Sequence, residues 1–117
     1  MNRKGYRWER AVVEYLKQMG IAATRTGSAR MSMGDIDGVP EWVLECKDTV
    51  DTRNTEYLRQ ASLSAKRAKK PYYCVIYKRR DCPTEEGIVV MPLKVFIDQL
   101  QGRVPDGTTQ GGTPTAA

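Results

Sequence analysis

The sequence predicts an α/β fold, a mixed β-sheet flanked by helices. Three segments show the 3.6-residue spacing of amphipathic helices, near residues 5–19, 52–70 and 91–101. Shorter apolar or alternating segments of strand length lie between them. Their order, α-β-β-β-α-β-(β)-α, interleaves the two kinds of element, which puts helices on the faces of a sheet.

GYRWERAVVEYLKQM (5–19) forms the first helix, ended by Gly20. Steps of 100° gather Trp8, Val12, Leu16 and Met19 on one face, with Val13 and Tyr15 at its borders. Glu14 falls on the solvated side, whereas Glu9 falls inside the apolar arc. IAATRT (21–26) reads as a short strand and TGSARMSMG (26–34) as a loop. DIDGV (35–39) and WVLECK (42–47) read as a hairpin turning at Pro40-Glu41. That turn sets Asp37 roughly opposite Glu or Lys, with Asp35 near the strand end.

TRNTEYLRQASLSAKRAKK (52–70) is the second helix, with Leu58, Ala61, Ala65 and Ala68 as a small-residue face for close packing on a sheet. PYYCVIYK (71–78) and GIVVM (87–91) are strands, and the tyrosines of the first read as packing residues. MPLKVFIDQLQ (91–101) is the last helix, opened by Pro92. The domain is placed at 1–101, and the Gly-, Thr- and Pro-rich segment 102–117 reads as a disordered tail.

With 117 residues there is room for one domain with a modest core. A net charge of +5 favours a polyanionic partner such as nucleic acid. Three cysteines without paired spacing argue for a reducing, cytoplasmic setting, and no apolar run suits a membrane span or a signal peptide. There is no histidine, which excludes Ser/His/Asp triads, Cys/His pairs and histidine zinc sites. Chemistry must then rest on carboxylates, lysine, or a metal held by oxygen.

Residues two apart on a strand share a face, so Glu45 and Lys47 project together and Leu44 and Cys46 project toward a core. Asp35 and Asp37 share a face of the partner strand. Two carboxylates meeting beside a lysine suit a hard cation such as Mg²⁺, which takes one or two carboxylates plus water and phosphate. A lysine there can orient water or offset charge on a phosphate, the chemistry of phosphodiester hydrolysis.

Asp35 followed by Glu45-Cys46-Lys47 resembles the PD-(D/E)xK signature of restriction-endonuclease-like nucleases, with Gly34 where the motif has proline. GYRWERAVVEYLKQMGIAATRTGSA resembles the start of the archaeal-type Holliday junction resolvases. The likeness spans roughly residues 5–80 and implies an αβββαβ core. It implies Glu9, Asp35 and Glu45 as metal ligands, Lys47 as the catalytic lysine, and Mg²⁺ as cofactor with Mn²⁺ able to substitute. It further implies Ser28 in a loop near the scissile phosphate, Arg25 and Arg30 near the DNA backbone, and Gln60 in a supporting place. Asp37 either supports the ligands or replaces Asp35 among them. Branched DNA would be the substrate of a homodimer, with the apolar last helix (Val95, Phe96, Leu100) or the tyrosine-rich strand as interface. The compact size suits a phage or mobile-element enzyme working in the host cytoplasm or nucleoid.

Each feature also has a plainer reading. Glu45 and Lys47 could form a cross-strand ion pair, and GDIDG could be turn chemistry. Glu9 could be a border residue or a partner for an arginine such as Arg25. Arg59, Lys66, Arg67, Lys69 and Lys70 could be a solvated helix face instead of a DNA-binding one. Two other functions stay open: a repair or recombination nuclease of the same fold, and a non-catalytic DNA-binding accessory.

Overall fold

A computed structural model describes residues 3–27, 34–51 and 53–102. The elements are α1 (Arg3–Gln18), β1 (Thr24–Arg25), β2 (Ile36–Asp37), β3 (Trp42–Lys47), α2 (Asn54–Ala68), β4 (Tyr72–Tyr77), β5 (Ile88–Val90) and α3 (Leu93–Gln101). A 3₁₀ turn, Thr84–Glu86, precedes β5. The five strands form one mixed sheet in the order β1-β2-β3-β4-β5. Only β3 and β4 run parallel, since α2 carries the chain back between them.

Two cores follow from strand alternation. Leu44, Cys46 and Cys74 face α1 and pack with Trp8, Val12 and Val13. Val43, Tyr73, Val75 and Tyr77 face the other way, against Ala61 and Ala65 of α2 and Val95 of α3. Glu45 and Lys47 share the parity of Val43 and so stand on the α2 side, as the strand period requires. Ala61 is fully buried, which lets α2 lie close to β3 and β4.

Four expectations need correcting. Met19 lies beyond the end of α1 and is 59% exposed, so it does not belong to the helix's buried face. The β2–β3 register aligns Ile36 with Leu44, which brings Asp35 toward Glu45 and leaves Asp37 toward Val43, one step from the expected pairing. Val95 is core, and β4 is interior to the sheet, so neither offers a surface for a partner chain. The strand expected at 21–26 is only two residues long and pairs with β2. The segment read as a tail lies, after Gly102, outside the described residues.

Candidate active site

Asp35 is placed by the residue before it. Gly34 has φ +102°, a conformation open to glycine and closed to proline, whose ring holds φ near −65°. A Cβ there would also sit 3.0 Å from Val43 Cγ1. The motif's proline is therefore excluded by the backbone. Asp35 N–H then donates to the Leu44 carbonyl at 2.9 Å, and Cys46 N–H donates to Asp35 Oδ2 at 2.7 Å. The side chain is thus fixed against the strand that bears Glu45.

Glu45 is half-buried on the α2 side, where Ser64 Oγ donates to its Oε1 at 3.3 Å. Burial first, then the charge of Asp35 and a hydrogen bond from it, raise its pKa from the usual 4.5 to about 7, although Lys47 and Ser64 pull it down. A carboxyl buried beside a second one holds its proton because ionising it there is costly. Lys47 Nζ lies 4.5 Å from the centre of the Tyr57 ring, and Tyr57 donates its hydroxyl to Asp51 Oδ2 at 3.1 Å. The ring face favours an ammonium, so α2 helps aim the lysine.

Glu9 approaches the same cleft from α1. Arg25 of β1 grips its Oε1 through Nε at 3.1 Å and Nη2 at 2.9 Å, and the guanidinium stacks 4.2 Å from the Tyr6 ring centre. Burial still pushes Glu9 above the usual carboxylate range, helped by the Asp35 charge, although Arg25 pulls it down. The pairing of Glu9 with Arg25, the plainer sequence reading, is the arrangement found.

These groups line one cleft of about 1130 Å³ at the C-terminal end of β3, the central strand. Glu9, Arg25, Asp35, Glu45 and Lys47 are all brought to it, as are Gln60 and Arg67. Gln60 Nε2 donates to Glu56 Oε1 at 3.3 Å. Asp37 is not among the lining residues and pairs in register with Thr24. The basic face of α2 is divided. Arg67 reaches the cleft, Arg59 is bound to Glu56 at 2.7 Å, and Lys66 points to solvent. Lys69 ends α2 in a left-handed turn, and Lys70 Nζ donates to the Trp42 carbonyl at 3.0 Å, at the far end of β3 from Lys47. Ser28 and Arg30 lie outside the described residues.

Four cleft residues escaped the sequence reading: Tyr6, Thr26, Tyr57 and Ser64. Ser64 had a signal, as a polar residue on the small-residue stripe that α2 buries. The other three are brought in by the tertiary arrangement alone. Thr26 Oγ1 is buried and finds no hydrogen-bond partner, which marks a place for a water or an anionic oxygen in the cleft wall.

Among the described residues, no three acids or cysteines converge tightly enough to cage an ion. The donor set that is present suits Mg²⁺, which needs only one or two carboxylates and keeps waters elsewhere. Asp35 and Glu45 could supply that pair, and the proton that burial keeps on Glu45 is what a cation would displace. Cys46 borders the cleft, but burial drives its thiol far above its usual range, so it is no soft ligand or nucleophile there. No described helix is long and apolar enough to cross a membrane. No known protein family, curated protein or solved structure matches the chain.

Proposed function

We propose that this chain is a Mg²⁺-dependent DNA endonuclease of the restriction-endonuclease-like fold, acting on branched DNA such as four-way junctions. The observation that carries the reading is the meeting of Asp35 and Glu45 in one cleft, close enough for Asp35 to raise the Glu45 pKa, with Lys47 on the same strand face as Glu45. The element order, a helix, three strands in antiparallel succession, a crossover helix and a parallel strand, supports that fold. A chain without histidine that carries a net charge of +5 supports a phosphate-rich substrate.

Asp35 and Glu45 would hold the cation, and Glu9 would join them once Arg25 turns from it to a DNA phosphate. A bound divalent cation supplies a Lewis acid for the phosphate and lowers the pKa of water. Lys47 places its ammonium where negative charge builds on the phosphate, held by the Tyr57 ring. Thr26 offers its unpartnered hydroxyl to a phosphate oxygen. Arg67, at the α2 wall, adds a positive charge for the backbone beyond.

A junction presents two equivalent strands, so a two-fold homodimer matches the substrate. The surface we assign to that contact is the exposed stripe Leu93, Phe96, Ile97 and Leu100 of α3, at helical spacing.

The test is cleavage of a labelled four-way junction, a linear duplex and a splayed fork in Mg²⁺ or EDTA, beside Glu45→Ala and Lys47→Ala. Paired Mg²⁺-dependent cuts on the junction, absent from both variants, are expected. Equal cutting of fork and duplex would discard the junction preference and keep the nuclease. Binding without cutting in any divalent cation would leave a DNA-binding accessory instead.

A further inference from the structure

A second cleft, of about 680 Å³, opens beside the first. Arg7 of α1 forms one wall, Asp48–Val50 form the floor after β3, and Lys78, Arg80 and Asp81 come from the loop after β4. Asp48 and Thr49 line both clefts, so the two are neighbours. The junction between them is fixed by backbone: Lys78 N–H donates to the Lys47 carbonyl at 3.0 Å, so the β4 loop leaves directly beside the candidate catalytic lysine.

The cations here differ from those that the fold pairs with acids. Arg25, Arg53, Arg59 and Arg79 each hold a carboxylate. Arg79 stands between Lys78 and Arg80 in sequence and turns away to Glu86, at 3.4 Å. Among the described residues, Arg7, Lys78 and Arg80 make no ion pair, although Asp81 and Asp48 share their cleft. All three are exposed. Grouped cations without carboxylate partners repel one another, and an anion relieves that repulsion. Because the cleft adjoins the first one, an anion that fits both is a polymer spanning the two, unlike an isolated phosphate.

We infer that the Arg7–Lys78–Arg80 cleft holds backbone phosphates of the same DNA whose scissile phosphate occupies the Asp35–Glu45–Lys47 cleft. The inference rests on the nuclease reading and extends it, by giving the path along which the substrate leaves the reaction centre. Phosphate contacts of this kind position a strand without reading its sequence.

The test compares two double variants of equal net charge, Lys78→Gln/Arg80→Gln and Lys17→Gln/Lys94→Gln. Anisotropy of a labelled four-way junction in EDTA, between about 50 and 200 mM salt, reads affinity and its salt slope without cutting. The cleft variant is expected to bind more weakly, with a slope shallower by about 2, one per lost phosphate contact. The control is expected to keep the wild-type slope, and Arg7→Gln to lose about 1. Wild-type binding that the Lys78/Arg80 variant reproduces in affinity and slope would remove this cleft from the DNA path while leaving the nuclease reading intact. Equal losses in both double variants would likewise overturn it, as an effect of net charge alone. A wild type that neither binds nor cuts DNA would bring down both.

Discussion

A carboxylate beside a second carboxylate in a desolvated cleft keeps its proton, and Glu45 keeps it to about pH 7. The consequence for stability has a definite sign. Between the usual 4.5 and about 7 the folded chain binds more protons than the unfolded one, so stability falls as pH rises through that window. Glu9, also raised, acts in the same direction. Without divalent cations the melting temperature should therefore drop between pH 5 and 8. Glu45→Gln should flatten the drop and gain roughly 1–3 kcal/mol at pH 8. Added Mg²⁺ should stabilise the wild type more at pH 8 than at pH 5. A thermal profile indifferent to pH would contradict the raised pKa of Glu45.

Gly34 belongs to the same scale. Its φ of +102° and the 3.0 Å approach of a would-be Cβ to Val43 make Gly34→Ala costly, by about 2 kcal/mol in urea unfolding. Gly34→Pro, which restores the letter of the nuclease motif, should lose the fold of the hairpin and with it Mg²⁺-dependent cutting. Retention of wild-type stability in Gly34→Pro would show that the hairpin enters the site in another way.

At the scale of elements, α2 does two things with one face. Ala61 and Ala65 let it lie against the sheet, and Ser64 and Tyr57 then reach Glu45 and Lys47. Ala61→Leu should push the helix off the sheet at a cost of about 1–3 kcal/mol, measured by denaturation, and should lower cleavage more than Ala68→Leu does. Equal effects would separate helix packing from the site.

This is also where the limits of the sequence lie. The helices, the hairpin and the strand face of Glu45 and Lys47 were legible because 3.6- and 2-residue periods fix them locally. The register was not: a two-residue shift decided whether Asp35 or Asp37 meets Glu45, and Gly38-Val39-Pro40-Glu41 allows either to the eye. The Arg25–Glu9 grip joins residues 16 apart through the packing of α1 on β1, and spacing could suggest it only as an alternative. Tyr57 and Thr26 reach the cleft through tertiary placement that no local pattern encodes. Val95 looked like surface from composition, yet at 3% exposed it is core while its neighbour Phe96 is 44% exposed.

On the scale of the whole molecule, a small mixed sheet carries acids around its central strand and leaves an apolar helix stripe uncovered. Leu93, Phe96, Ile97 and Leu100 are all exposed on α3. Phe96→Asp/Leu100→Asp should yield a monomer in sedimentation at concentrations where the wild type is a dimer, with single-strand cleavage kept and paired cuts lost. A monomeric wild type would remove the two-fold account of the substrate.

The central claim is that a cation satisfies the Asp35–Glu45 pair. The measurement that reaches it most directly is calorimetric titration of Mg²⁺ and Mn²⁺ near pH 7 in buffers of different ionisation heat. The account predicts binding accompanied by proton release, because the cation displaces the proton held on Glu45, and loss of both in Asp35→Asn. Absence of binding, or binding undiminished in Asp35→Asn, would contradict it.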